Sequence, residues 1–123
     1  MSNAQTLVRD VMSTPLVTIA PTATLVEAAR RMRDEDINAL LVPTTEHAIV
    51  TSTDVLDAVA AERDPGETTV ADVMTESVET VPPDLRLTEA AAMMETFGIS
   101  HLPVVDDDPV GMVSSTDITA QLS

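Results

Sequence analysis

Cysteine, lysine, tryptophan and tyrosine are all missing from the 123 residues, and the aromatic content is a single phenylalanine. The lack of cysteine removes disulfides, thiolate metal sites and thiol nucleophiles together. With no Trp or Tyr, a flat ligand has only aliphatic and methionine side chains to lie against. Three glycines form no glycine-rich phosphate loop, and neither a Ser-His-Asp order nor a metal-spaced histidine cluster exists. Catalysis therefore has no visible apparatus: the expectation is a protein that is not an enzyme and holds no metal. No run approaches the roughly 18 apolar residues of a membrane span, and no charged-then-apolar leader is read at the start.

Positive charge is scarce. Six arginines face 21 acidic residues, a formal net charge of −15, which repels phosphate backbones and excludes a nucleic-acid partner. Hydrophobic residues make up 44%, enough for a core, and the length suits one domain or two half-size units sharing one. Dense Asp and Glu without lysine fit a halophilic, cytoplasmic protein, since at molar salt the Debye length falls to about 3 Å and self-repulsion fades. An ordinary acidic cytosolic protein is the alternative.

What is present is a repeat. Laying Thr6–Pro43 over Thr68–Val105, 62 residues on, gives 15 identities in 38 positions, where chance gives about two or three. Among the pairs are Asp10/Asp72, Met12/Met74, Thr18/Thr80, Leu25/Leu87, Glu27/Glu89, Ala28/Ala90, Met32/Met94, Ile37/Ile99 and Leu40/Leu102. One residue is then gained in the second copy. Val50-Thr51-Ser52-Thr53-Asp54 falls over Val113-Ser114-Ser115-Thr116-Asp117.

Each copy reads as a short helical turn (7–12; 70–74), a brief strand (16–19; 78–81) and an amphipathic helix. Two strands (39–42 with 48–51; 102–105 with 110–114) and a closing helix from Ser52 or Ser115 complete it. Thr24 to Glu27 forms a capping box, with Leu25, Ala28, Ala29 and Met32 as the apolar stripe. Arg86 replaces the capping threonine in copy two, which makes Asp84 the expected N-cap. The fold class is α+β, two β-α-β-β-α repeats packed about a pseudo-twofold axis. Repeat 1 spans 5–62, a polar linker 63–67, and repeat 2 68–123. One such unit alone would struggle to bury enough surface.

These ordered sets resemble a tandem pair of cystathionine β-synthase (CBS) domains, the Bateman module. The likeness rests on Asp72-Val73-Met74, Val78-Glu79-Thr80-Val81, Gly98-Ile99-Ser100-His101-Leu102-Pro103-Val104-Val105-Asp106 and Gly111-Met112-Val113-Ser114-Ser115-Thr116-Asp117. It is repeated less faithfully in copy one and covers nearly the whole chain. The resemblance implies a regulatory module that binds an adenosine-containing ligand (AMP, ADP, ATP or S-adenosylmethionine) in the cleft between the repeats. It further implies signalling to an effector protein and pairing into a homodimer. No cofactor is required. A ligand-free interaction or dimerisation scaffold is the alternative.

By the same likeness, Asp54 and Asp117 bind ribose, with Thr51, Ser114 and His101 contacting its hydroxyls or a phosphate. Val17, Ile37, Asn38, Ala39, Ile99 and Ser100 line the adenine slot. An ionised carboxylate only accepts hydrogen bonds, which suits a sugar diol. Ser/Thr-x-x-Asp at a helix start is equally a capping motif needing no ligand. Ile37 and Ile99 could be ordinary core, and His101 merely packed. His47 reads as exposed, and Arg86 is the weaker phosphate candidate. A polyphosphate would approach against the field, so AMP or the cationic S-adenosylmethionine is easier to hold. In copy one Ala48 replaces Gly111, Leu41 stands for Pro103, and Pro43-Thr44 replaces Val105-Asp106, changes expected to make the two sites unequal. Asp106-Asp107-Asp108 and Asp34-Glu35-Asp36 read as solvated surface, and Met32, Met93 and Met94 as core.

Overall fold

The computed structural model describes residues 6–122. Gln5, where the first repeat was expected to begin, and Ser123, where the second was expected to end, lie outside the described residues. The chain divides into two compact units, one running from Val17 to Val78 and the other joining residues up to Leu16 with those from Glu79 onward. The helical turn that heads each repeat in sequence thus belongs to the unit built from the other repeat.

In the Val17–Val78 unit, α2 (Leu25–Glu35) follows α1 (Val8–Val11) of the other unit in chain order. It starts at Leu25 because Thr24 and Glu27 close a reciprocal cap: Glu27 N–H donates to Thr24 Oγ1 (3.2 Å) and Thr24 N–H to Glu27 Oε2 (3.0 Å). Leu25, Ala28 and Met32 are buried, whereas Ala29, at the edge of the expected stripe, is exposed. The helix stops at Asp36, in the left-handed region at φ 55°, and Ile37 N–H returns to the Met32 carbonyl (2.9 Å), a Schellman closure. β1 (Ala39–Val42) and β2 (Ala48–Thr51) then pair antiparallel, Ala39 opposite Thr51 and Val42 opposite Ala48. α3 (Ser52–Ala60) closes the repeat, and α4 (Val70–Val73) follows. Residues 63–67 form a bonded turn, with Gly66 N–H on Asp64 Oδ1 (2.9 Å) and Thr68 N–H on the Asp64 carbonyl (2.9 Å). The core joins Ala28, Met32, Leu40, Val42, Ala48, Val50 and Val70, each large member contributing about 1.5–3 kcal/mol by burial.

The second unit repeats the plan with α5 (Leu87–Phe97), β3 (His101–Asp106), β4 (Asp108–Ser114) and α6 (Ser115–Leu122), around Val8, Val81, Leu87, Ala90, Met94, Leu102, Val104, Val113 and Ile118. Its hairpin is longer than the expected 102–105 and 110–114. The gained residue is absorbed as a bulge between Val104 and Val105, and the strands run on to a turn at Asp107. Asp106, Asp107 and Asp108 are exposed there, as are Asp34, Glu35 and Asp36 at the end of α2.

Two other expectations fail for identifiable reasons. Asp84 does not cap α5: Arg86 stands at the N-cap without a side-chain cap. The first helical amide, on Leu87, donates instead to the Thr6 carbonyl (2.9 Å), so a distant piece of backbone does the capping. The strands expected at 16–19 and 78–81 reduce to single parallel bridges, Thr18 to Leu41 and Val81 to Val104. Each expected segment straddles a boundary between the units, and Pro21 or Pro82 soon ends the run of amide donors.

Candidate functional site

In each unit the second hairpin strand turns into the closing helix at a Ser/Thr-x-x-Asp corner. Thr51 N–H and Thr51 Oγ1–H both donate to Asp54 Oδ2 (2.8 and 3.2 Å), and Asp54 N–H returns to Thr51 Oγ1 (3.4 Å). In the second unit Ser114 N–H donates to Asp117 Oδ2 (3.0 Å) and Asp117 N–H to Ser114 Oγ (3.1 Å). Both corners are half-buried capping boxes. A carboxylate offers about four lone-pair directions, so each cap, which uses Oδ2, leaves Oδ1 outside it.

The candidate adenine residues are tied to these corners. Ser52 N–H donates to the Asn38 carbonyl (3.0 Å) and Ser115 N–H to the Ser100 carbonyl (2.9 Å), which pins the turn before the first hairpin strand against the start of the closing helix. The Val17–Val78 unit thereby brings together Thr51, Asp54, Ile37, Asn38 and Ala39. Val17 lies alongside through its carbonyl, which accepts from Leu41 N–H (3.1 Å). The second unit gathers Ile99, Ser100, His101, Ser114 and Asp117, with His101 opposite Ser114 in the hairpin register. Asn38 and Ser100 are exposed, Val17, Ile37 and Ile99 half-buried, and Ala39 buried. Val17 and Ile37 also pack on the first core, and Ile99 on the second.

His101 is half-buried, and desolvation pushes its pKa below the ordinary histidine value, partly opposed by the Asp117 carboxylate. It is neutral near pH 7. His47, expected to be exposed, is half-buried at φ 52°, its carbonyl taking the Val78 amide (3.3 Å). Arg86 and Arg9 sit at the opposite end of α5 from His101, Arg9 N–H donating to the Pro83 carbonyl (3.0 Å). Among the described residues no group of three or more His, Asp or Glu could hold a metal ion, and no helix is long and apolar enough to cross a membrane.

Sequence reasoning missed the contribution of Met12-Ser13 and Met74-Thr75. These segments pair with the hairpin strand that leads into each corner, Ser13 with Met112 and Thr75 with Ile49. The Met12/Met74 identity signalled them, but nothing local says that they cross to the other repeat's unit.

A fold of this kind, a duplicated half-domain with an Asp corner in each copy, has counterparts among known proteins. The CBS domain family model matches residues 8–61 and again 70–123. The chain belongs to the CBS domain family. An uncharacterized protein of Methanopyrus kandleri, MK0525, is 33% identical over 117 residues, 90% of this chain and 60% of that protein. A homoserine O-acetyltransferase of Methanosphaerula palustris is 37% identical over 119 residues, 93% of this chain but only 24% of the enzyme. The chain thus spans less than two thirds of either relative, 60% of the first and 24% of the second. Among solved structures, the CBS domain pair of protein MJ0100 in complex with 5′-methylthioadenosine and S-adenosylmethionine superposes with a TM-score of 0.84. It shares 33% identity, with 94% of each chain covered.

Proposed function

We propose that the chain is a regulatory, ligand-sensing module that binds an adenosine-containing molecule at its Ser/Thr-x-x-Asp corners and signals to an effector protein. The observation that carries this reading is the pinning of each Asp corner to the turn holding the candidate adenine residues, made twice with the same backbone bonds. The adenosine ligands of the similar MJ0100 pair support the same chemistry. Asp54 and Asp117 accept the ribose hydroxyls, and Thr51, Ser114 and His101 contact hydroxyls or phosphate. Val17, Ile37, Asn38, Ala39, Ile99 and Ser100 flank the base. Of AMP, ADP, ATP and S-adenosylmethionine, the sulfonium suits the −15 chain best, because it approaches with the field while a polyphosphate needs salt or Mg²⁺ to screen it. The module works in a salt-rich cytoplasm, as a homodimer and without catalysis of its own. Ligand binding acts by favouring one arrangement of the chain over another.

Isothermal titration with S-adenosylmethionine, AMP and ATP in molar KCl tests this. Saturable heat is expected, strongest for S-adenosylmethionine; no heat from any of the three would sink it. The closed capping geometry of Asp54 and Asp117 favours a second reading, a ligand-free scaffold in which the aspartates only cap. In that case nucleotides leave the melting temperature unchanged while substituting either aspartate lowers it.

A further inference from the structure

At Gly111 a side chain fits only if Met12 and Ser13 move. A Cβ there would stand 2.7 Å from Met12 Sδ and 3.1 Å from both Met12 Cγ and the Ser13 carbonyl oxygen. Gly98, not Gly111, is the glycine at positive φ, so what sets Gly111 apart is the crowding around it and not its backbone conformation. The crowding comes from residues 6–16, a strap laid across the second unit. Leu87 N–H donates to the Thr6 carbonyl (2.9 Å), Val8 N–H to Leu85 (2.9 Å) and Arg9 N–H to Pro83 (3.0 Å). Ser13 and Met112 then exchange hydrogen bonds (2.7 and 3.3 Å). Val8 is fully buried, and α1 packs on both β4 and α6. Two residues beyond Met112 lies Ser114, whose amide holds Asp117.

We infer that Met12 and Ser13 are positioning residues for the Ser114–Asp117 corner, the strap fixing the path of β4 through Met112 and with it the aim of the Asp117 carboxylate. The inference rests on the reading of that corner as a diol site. The strap also runs on without a break from Leu16 to Val17, which lies along β1 and is itself a candidate base contact.

The test uses the full chain in molar KCl, with Gly111→Ala, Met12→Ala and the double variant. S-adenosylmethionine is titrated calorimetrically, and amide exchange is followed at Asp117, Ser114 and Asp54. Gly111→Ala is expected to weaken S-adenosylmethionine about tenfold, the equivalent of one overpacked contact. Exchange should quicken at Asp117 and Ser114 while Asp54 stays at its native rate. Adding Met12→Ala should recover most of both losses, a coupling that independent sites do not show. Should Gly111→Ala fail to fold, Met12→Ala alone is expected to speed exchange at Asp117 selectively. Native exchange at Asp117 in Gly111→Ala, an equal change at Asp54, or no recovery in the double variant would overturn the inference. A wild-type chain that takes up no adenosine compound removes the diol reading, yet exchange at Asp117 still decides whether the strap positions the corner.

Discussion

Where the second repeat has Gly98, Pro103 and Gly111, the first has Asp36, Leu41 and Ala48. Asp36 and Gly98 end their helices alike, at φ 55° and 64°, but the other two differences alter how backbone segments close on one another while the four central strand pairs are kept. Leu41 has an amide and gives it to the Val17 carbonyl; Pro103 has none, and the second unit instead bonds Val105 N–H to the Val81 carbonyl (2.9 Å). The parallel bridge moves from Thr18–Leu41 to Val81–Val104 accordingly. Ala48 is wholly buried beside Ile49, which exchanges bonds with Thr75 at 3.0 and 2.9 Å, so that segment holds a methyl group where the strap over Gly111 would have to shift Met12 to do so. Divergence thus falls where a second segment closes on the sheet, even at buried positions such as Leu41 and Ala48, while Leu40 and Leu102, or Val42 and Val104, remain identical and fully buried.

That comparison can be broken most forcefully in the cores. Leu40→Ala and Leu102→Ala each remove a wholly buried side chain and should each cost about 2–5 kcal/mol in urea unfolding; a tolerated substitution in either repeat would end the claim that the cores are equivalent. Next comes the strap contact. Gly111→Ala should lose about 1–3 kcal/mol through overpacking, against about 0.5–1 kcal/mol for Ala48→Gly, and equal losses would contradict the crowding assigned to Met12. The helix ends sharpen the contrast further. Gly98→Ala places a side chain at φ 64° and should cost about 1 kcal/mol, whereas Asp36→Gly, at φ 55°, should gain roughly 0.5–1 kcal/mol.

The smallest effect is pH-dependent and belongs to the second unit, since Ala39 occupies the His101 position in the first. A histidine whose folded pKa is depressed binds a proton more readily unfolded, so its contribution is complete above the usual value and declines as pH falls from about 6.5 toward the folded value. His101→Gln should flatten the stability profile in that window. Asp72 acts lower down: Thr69 bonds its carboxylate, first through the backbone amide (3.0 Å), and hold its pKa below 3.8, with Arg63 at 3.9 Å adding to this. Its contribution is present above that value and lost as pH falls through the folded pKa.

The repeat made most of the fold legible, because a 62-residue period aligns each ambiguous element with a clearer twin. β1, β2, the Thr24–Glu27 cap and the starts of α3 and α6 all fall at the expected residues. Three features were hidden because their cause is remote in sequence. α5 begins at Leu87 on the strength of the Thr6 carbonyl, the 16–19 segment is cut where the units part, and the heading turns cross to the opposite core. At the site, the residue types were readable but their partners were not: Ser/Thr-x-x-Asp says that a carboxylate faces a helix start. Only coordinates show Asn38 and Ser100 lending their carbonyls to the next helix.

Whether an acidic side chain at a helix start holds a sugar diol is decided by calorimetric titration of the wild-type chain with 5′-methylthioadenosine and its 2′-deoxy counterpart in molar KCl. Binding weaker by about tenfold or more for the deoxy compound, the scale of one hydrogen bond to a charged group, with the difference erased when Asp54→Ala and Asp117→Ala are combined, is the predicted result. Equal affinity for the two compounds would contradict it.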